Sequence, residues 1–195
     1  MKRPPKVFIS YAHDSESFAD EILGFSDKLR ENYIDANIDQ YEESPTQGWP
    51  RWMEEEITNS DFVLIICTEK FYQNIMDYKS GKGKGVNWEI SLIYQNLYDS
   101  CSRNNKFIPI IFRKYATSNI LTPLRSSTIY YIDKEKDFTK LCNRLKGIKN
   151  VVKPKLGYKE DNTVGLDVKQ RKNLFVTSMI DLEKWNKAGW SGASY

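Results

Sequence analysis

Few residues of this 195-residue chain have the types and the spacing that catalysis requires. The only histidine, His13, lies in the run from Ser10 to Asp14, and the three cysteines, Cys67, Cys101 and Cys142, are scattered without a C-x-x-C pair. One histidine and no cysteine pair disfavour an ordinary zinc site, so we predict no metal. Any Ser-His or Cys-His nucleophile would have to involve His13. The scattered cysteines also argue against a disulfide framework and fit a reducing cytoplasm.

The elements that must position these residues are strands and helices that alternate along the chain. Apolar runs typical of strands lie at residues 6–11, 34–39, 61–67, 107–112 and 128–132. Helix-like segments lie at residues 15–31, 53–59, 69–76, 87–98 and 137–145, and Pro50 sits where the second of these helices would begin. This alternation predicts an α/β fold in which helices flank a parallel sheet. Open sheets of this kind bind ligands beyond the carboxyl ends of their strands, which is where Ser10 to Asp14 and Asp39 lie.

A change in composition after Gly147 predicts a second part of the chain. Residues 150–165 are polar, contain Pro154 and Gly157, and are typical of a linker. Residues 167–187 have the spacing of an amphipathic helix. We therefore expect one domain over residues 1–149, followed over residues 150–195 by a linker and a C-terminal helical extension that docks on the domain or on a partner.

Composition and charge exclude several classes of partner. The chain is 40% hydrophobic and 28% charged, which is ordinary for a globular protein. Its net charge of +3 is small and both signs are interspersed, so we expect no nucleic-acid partner. The longest apolar stretch, residues 62–67, is too short to span a bilayer, and no N-terminal signal is visible. We therefore expect a cytoplasmic protein without a membrane partner.

Several motifs resemble those of the Toll/interleukin-1 receptor (TIR) superclass. The run KVFISYAHDS at residues 6–15 resembles the first conserved box of TIR domains. The runs DQYEESPTQGWPRWMEEEI (39–57), SDFVLIICTEKFY (60–72), VNWEISLI (86–93) and KFIPIIF (106–112) resemble SEFIR domains more closely, in a form typical of bacteria. The resemblance covers residues 6–145 in order. It implies a flavodoxin-like sheet of five parallel strands and function by homotypic association with SEFIR or TIR-like domains. In many bacterial relatives it also implies hydrolysis of NAD⁺, which is then a substrate and not a cofactor.

The resemblance also implies site residues. It places the superclass's catalytic glutamate on the helix that contains Glu89, with Trp88 beside it as an apolar wall of the substrate pocket. Many relatives keep more residues between the tryptophan and the acid than this chain does. The simpler reading of Glu89 is an acid that the helix dipole favours near a helix N-terminus.

Four residues at the end of the first strand have two readings. Ser10, Tyr11, His13 and Asp14 would form a further wall of the substrate pocket, and Asp39 would border it from the next loop. The alternative is that Asp14, or Ser15 next to it, caps a helix and that Tyr11 packs in the core.

The segment from Asp39 to Gly48 corresponds, by the resemblance, to the BB-like loop through which such domains assemble. Trp49, Arg51 and Trp52 follow it directly, and aromatic residues and arginine are enriched at interfaces. We therefore predict that these three residues form an interface. The alternative is a solvated loop, with one of the two tryptophans in the core.

Two functions remain open. The first is an intracellular signalling or defence domain, related to innate immunity, that hydrolyses NAD⁺ to nicotinamide and ADP-ribose when it assembles. The second is a non-enzymatic scaffold. The glycine- and lysine-rich loop at residues 81–85 does not fit a phosphate-binding loop, because no Ser or Thr follows a Gly-Lys pair and no strand precedes it. A receiver domain is disfavoured, because Cys67 and Thr68 stand after the third strand where an acidic phosphate acceptor would be needed.

Overall fold

The computed structural model of the protein describes residues 3–79, 93, 95, 96, 98, 104–112 and 114–154. In this part of the chain the strands are β1 (Lys6–Ser10), β2 (Asp35–Asn37), β3 (Phe62–Ile66), β4 (Phe107–Ile111) and β5 (Tyr130–Tyr131). The helices are α1 (Glu16–Glu31), α2 (Trp49–Asn59), α3 (Glu69–Lys79) and α4 (Glu135–Leu145). Short 3-10 turns lie at Asp39–Tyr41, Thr117–Asn119 and Thr122–Leu124.

The five strands pair in parallel in the order β2-β1-β3-β4-β5. The predicted α/β fold with a five-stranded parallel sheet is confirmed. Each strand is shorter than its apolar run, because the run extends beyond the hydrogen-bonded ladder at one end or at both. The difference is large at β5, where only Tyr130 and Tyr131 pair, and they pair with the last two residues of β4, Ile110 and Ile111.

Helices cover both faces of the sheet, because successive side chains of a strand point to opposite faces. On one face, Ile9 of β1 belongs to the same buried cluster as Ile22 of α1 and Leu141 of α4. On the other face, Phe8 of β1 belongs to a second buried cluster with residues of α2 and α3, among them Phe71. Covering on both faces explains why the central strands are apolar at nearly every position.

Helix α1 shows how the sequence sets a buried stripe. Phe18, Ile22, Phe25 and Leu29 recur at helical spacing and all are buried. The Ser15 hydroxyl accepts a hydrogen bond from the backbone N–H of Phe18 at 3.2 Å, so Ser15 is the N-cap. Caps of this kind stabilise a helix by about 1 kcal/mol. Asp14, the other predicted cap, is therefore not the N-cap of α1.

Helix α2 begins at Trp49, one residue before Pro50, where the sequence places the start of this helix. Its N-cap is Gly48, whose φ of 80° lies in a region that glycine adopts without strain. Pro50 occupies the first turn, where its missing N–H costs nothing. Trp49 and Trp52 consequently stand on the helix and not in the loop ahead of it.

A bidentate ion pair fixes the amino end of β1 to that of β3. Two guanidinium nitrogens of Arg3 donate to the Asp61 carboxylate, each at 2.8 Å, and the backbone N–H of Lys6 donates to the same carboxylate at 2.8 Å. The hydrogen bond from Arg3 lowers the pKa of Asp61, although burial acts in the opposite direction. The amino end of β1 is therefore held next to the amino end of β3.

The chain divides into two compact units, Met1–Asn150 and Val151–Tyr195. All of the strands and helices above lie in the first unit. The predicted helix at residues 167–187 lies outside the described residues, so the linker and the helical extension stay predictions. Across the part of the chain that the structure describes, no helix is both long and apolar enough to cross a membrane.

We predict that a chain ending at Lys149 folds and unfolds cooperatively. The reason is that the five strands and α4, which ends at Leu145, all lie before this point. Urea denaturation followed by circular dichroism measures the cooperativity. A product that is insoluble, or that has secondary structure without a cooperative transition, would contradict the prediction.

Candidate functional site

The carboxyl ends of β1 and β2 lie side by side, because these strands pair in parallel. The chain leaves β1 through residues 11–15 and leaves β2 through the 3-10 turn Asp39–Tyr41. On the other side of β1, β3 leads into α3, which packs on the sheet face opposite to α1. Chains that diverge in this way form a topological switch point, where open sheets bind ligands.

His13 and Asp39 form a contact that joins the two loops. The Nε2 atom of His13 lies 2.6 Å from Oδ2 of Asp39. The Asp39 side chain is only 18% exposed, whereas that of His13 is 61% exposed. The ring of Tyr11 stacks obliquely on the imidazole, with 4.7 Å between ring centroids. The Asp39 carboxylate therefore holds the imidazole in one orientation through Nε2.

Two carboxylate oxygens at this edge are buried without a donor. Among the residues that the structure describes, Oδ1 of Asp14 and Oδ1 of Asp39 have no hydrogen-bond partner, and both are shielded from solvent. A buried polar group without a partner costs about 1–3 kcal/mol. The edge therefore offers two acceptor atoms to a ligand that carries hydroxyl or amine donors. We call Tyr11, His13, Asp14 and Asp39 the carboxyl-edge cluster.

Two residues that follow Asp39 were not predicted from the sequence. The side-chain amide of Gln40 donates to the hydroxyl of Tyr11 at 2.8 Å and to the carbonyl of Ala19 at 2.9 Å. The hydroxyl of Tyr41 lies 3.0 Å from that of Ser26 and 2.8 Å from the carboxylate of Asp27. These contacts fix the turn after β2 against α1, and their position directly after a strand was the only signal for them in the sequence.

Two lysines near the cluster were also missed. Lys70 at the start of α3 donates to the backbone carbonyl of His13, so it crosses from the loop after β3 to the loop after β1. Lys114, just after β4, pairs with Glu21 at 2.5 Å, and this hydrogen bond raises the pKa of the lysine. Burial raises the pKa of the neighbouring Tyr115 hydroxyl, and the negative charge of Asp14 adds to the rise. Both lysines follow strands. The rule that open sheets bind ligands beyond the carboxyl ends of their strands could therefore have identified them from the sequence.

The other predicted pocket residues have different positions. Ser10 is buried at the end of β1, beneath the cluster. Trp88 and Glu89 lie outside the described residues, so their predicted roles stay predictions. The structure thus brings Tyr11, His13 and Asp39 into contact, and Asp14 follows His13 in the same loop.

The two predicted interface tryptophans have different surroundings. Trp52 is 6% exposed and packs edge-to-face on Phe8 of β1, with 5.8 Å between ring centroids. Trp49 is 42% exposed and packs edge-to-face on Trp52 at 5.6 Å. Arg51 is exposed and pairs with Glu55 one turn along α2. Trp52 is therefore a core residue that supports Trp49, while Trp49 and Arg51 are accessible to a partner.

The described cysteines are poor nucleophiles. Burial raises the pKa of the Cys67 thiol to about 12, so it is not a thiolate at neutral pH. Burial also raises the pKa of Cys142. Within residues 3–79 and the other described positions, no three His, Cys, Asp or Glu side chains are grouped so that they could hold a metal ion.

Comparison with protein families and solved structures gives a consistent result. A family model described as the SEFIR domain matches residues 5–145. The chain is similar to the crystal structure of a prokaryotic SEFIR domain, with 24% identity and a TM-score of 0.57 over 78% of this chain and 98% of that one. It is also similar to the SEFIR domain of IL-17 receptor B, with 13% identity and a TM-score of 0.53 over 74% of this chain and 96% of that one.

A third similar structure is the TIR domain of the Toll-related receptor TRR-2 from Hydra magnipapillata, with 16% identity and a TM-score of 0.50. The match covers 72% of this chain and 97% of that domain. At these identities the solved structures show a shared fold. No curated protein matches the chain in sequence.

We predict opposite outcomes for alanine substitutions of the two tryptophans. Trp52→Ala should lower the free energy of unfolding by about 3–5 kcal/mol, because it leaves a cavity between α2 and β1. Trp49→Ala, the matched control in the same helix, should lower it by less than about 1 kcal/mol, because Trp49 is 42% exposed and lies outside the buried core. Urea denaturation measures both values. Equal losses would contradict the assignment of Trp52 alone to the core.

Proposed function

The chain belongs to the SEFIR domain family, a family of signalling domains that self-associate, and from this membership we propose that it acts in cytoplasmic defence signalling and that its self-association switches on hydrolysis of NAD⁺ to nicotinamide and ADP-ribose. NAD⁺ is the substrate in this proposal, and no cofactor takes part. The partners are further copies of the domain and other SEFIR or TIR-like domains.

The observation that carries the catalytic part is the pair of buried carboxylate oxygens in the carboxyl-edge cluster. Oδ1 of Asp14 and Oδ1 of Asp39 accept no hydrogen bond from the described residues. The ribose hydroxyls of NAD⁺ are donors, and a hydrogen bond to a charged acceptor is stronger than one between neutral groups. The cluster lies at the edge of the sheet where ligands of this fold class bind. These features support ribose binding at Asp14 and Asp39, with the ring of Tyr11, which is only 6% exposed and packs on Phe18, as an apolar wall on the core side.

The chemistry needs little from the protein besides charge. Water adds to C1′ of the ribose as the bond to the nicotinamide nitrogen breaks, nicotinamide leaves with the electron pair as a neutral molecule, and one proton of the water is released. Positive charge builds on the ribose in the transition state, as in glycoside hydrolysis. A carboxylate that faces this charge stabilises it, and we assign that role to Glu89, with Trp88 as a second apolar wall.

Assembly in this proposal uses the exposed part of α2 and the loop before it. Trp49 offers an aromatic surface that its contact with Trp52 already holds in place. Arg51 adds a cation at the same end of the helix. Truncation of a buried aromatic anchor typically weakens binding by about 2 kcal/mol or more. Trp49 is therefore the residue whose loss should weaken assembly most.

The second candidate function is a scaffold without enzymatic activity. The observation that favours it is that the exposed surface of Trp49 belongs to α2 and depends on none of the cluster residues. A chain of this design could recruit partners without any chemistry. The two functions differ in whether pure protein releases nicotinamide from NAD⁺ when it is assembled.

We predict that Glu89→Gln lowers nicotinamide release by roughly a hundredfold, because the loss of one charge-assisted contact to the transition state raises the barrier by about 3 kcal/mol. The substitution keeps the size of the side chain and removes its charge. The assay follows nicotinamide from purified protein and NAD⁺ at low and high protein concentration, and the rate per molecule should rise with concentration.

The matched control for this assay is Glu31→Gln, an exposed glutamate at the opposite end of α1 from the cluster. It should keep the turnover of the parent at equal degree of assembly. Parent-like turnover by Glu89→Gln would contradict the assignment of Glu89. An assembled parent that releases no nicotinamide would favour the scaffold.

We predict that Trp49→Ala weakens self-association by at least tenfold while the fold is retained, because it removes the aromatic anchor of the proposed interface. Light scattering over a range of protein concentrations measures the association. Ile148→Ala is the control, because Ile148 is also an exposed apolar side chain but follows α4. An association constant for Trp49→Ala equal to that of the control would exclude Trp49 from the interface.

A further inference from the structure

Strand β2 has a free edge. It comes first in the strand order of the sheet, so only one of its sides pairs with another strand that the structure describes. On that side, the backbone N–H of Asp35 donates to the carbonyl of Pro5 at 2.9 Å. Because the backbone groups of successive residues in a strand point to opposite sides, the N–H and the C=O of Ala36 face outward. An outward row of this kind is a template for pairing with another chain.

Both outward groups of Ala36 are already bonded within the molecule. The N–H donates to the carbonyl of Ile34 at 2.9 Å. The carbonyl accepts a hydrogen bond from Nη1 of Arg30, in the last turn of α1, at 2.7 Å. Ala36 is 0% exposed although it belongs to an edge strand. A strand that approached this edge would therefore meet the guanidinium of Arg30 where it needs a free carbonyl.

Two further contacts hold Arg30 across the edge. Nη1 also donates to Oδ1 of Asp35 at 3.1 Å. Since Ala36 belongs to the buried cluster on the α1 face, the side chain of Asp35 starts from the opposite face. The guanidinium carbon lies 5.9 Å from the centroid of the Tyr41 ring, which adds a cation–π contact. Arg30 thus reaches from α1 around the outside of β2.

The edge is accessible apart from this side chain. The side chains of Arg30 and Asp35 are 50% and 42% exposed, so solvent reaches the outside of β2. A hydrogen bond from a charged donor is stronger than one between neutral groups. A strand that paired with Ala36 would have to break such a bond and would gain only neutral ones.

We propose that Arg30 blocks strand pairing at the free edge of β2 and thereby prevents a second copy of the chain from extending the sheet there. The partner that fits this edge is a second β2. Two copies of Ala36 placed opposite each other in an antiparallel pair exchange both hydrogen bonds, from the N–H of each to the carbonyl of the other. The same residues contribute from both copies, so the contact closes as a dimer with two-fold symmetry.

The inference goes beyond the proposed function, because it concerns an association that the chain prevents. A domain that self-associates through one surface gains specificity when its other adhesive surfaces are blocked. The free edge of β2 is separate from Trp49, which lies on α2. Arg30 therefore decides in which geometry copies of the chain can meet.

The experiment removes the block in a chain that also lacks the proposed aromatic anchor. Arg30→Met and Lys28→Met are each combined with Trp49→Ala. Lys28 is the matched control, because it lies in the same last turn, is 46% exposed and forms a surface ion pair with Glu135 at 2.9 Å. Each variant loses one positive charge and one ion pair and gains the same side chain, and methionine forms helices about as readily as arginine and lysine.

Light scattering should show that the Arg30→Met chain associates at least about tenfold more tightly than the Lys28→Met chain, because neither copy has to break a charge-assisted hydrogen bond before it pairs. The mass should level off at twice that of the chain, since the contact closes. Equal association of the two variants would overturn the proposal, and so would growth of the Arg30→Met chain beyond a dimer.

Amide hydrogen exchange locates the new contact. Exchange of residues 34–38, followed by mass spectrometry, should slow several-fold when the Arg30→Met chain is concentrated, and should stay unchanged in the Lys28→Met chain. Urea denaturation of both variants in dilute solution establishes that each is folded. Association without slower exchange at residues 34–38 would place the contact elsewhere and overturn the proposal.

The test is independent of the proposed function. A chain with Trp49→Ala alone that associates as strongly as the parent would contradict the proposed interface on α2. The difference in exchange between the Arg30→Met and Lys28→Met chains would still decide whether Arg30 blocks the edge.

Discussion

The structure depends on the position of β1 between β2 and β3. Parallel pairing on both sides of one strand brings three carboxyl ends to one edge, and the helices that follow β1 and β3 leave to opposite faces of the sheet. The carboxyl-edge cluster exists because β1 and β2 end side by side at this edge, which is the edge where open sheets of this kind bind ligands. The pair of Arg3 with Asp61 fixes the same strand at its other end.

The sequence predicted the elements well where the signal was local. Alternation of apolar side chains within strands and helical spacing in α1 are properties of a few neighbouring residues, and they identified the sheet and the stripe of Phe18, Ile22 and Leu29. The contact between His13 and Asp39 could not be predicted in the same way. It joins residues 26 positions apart and exists only because β1 and β2 are neighbours in the sheet.

The two tryptophans show a different limit. Trp49 and Trp52 are the same residue type, three positions apart and on either side of Pro50 and Arg51, so no local rule separates them. What separates them is the place where α2 begins and the depth to which its first turn reaches the core, which are properties of packing. The predicted catalytic group, Glu89, was reached by resemblance alone, and the described residues test neither its position nor its role.

The edge-to-face contact of Trp49 with Trp52 also bears on kinetics. A side chain that a buried neighbour already holds has few rotamers to lose when a second surface covers it, and the loss of rotamers is one of the main entropic costs of forming an interface. Such preorganisation generally lengthens the lifetime of a complex more than it speeds the encounter. An interface built on Trp49 would therefore owe its residence time partly to Trp52, a residue that no partner touches.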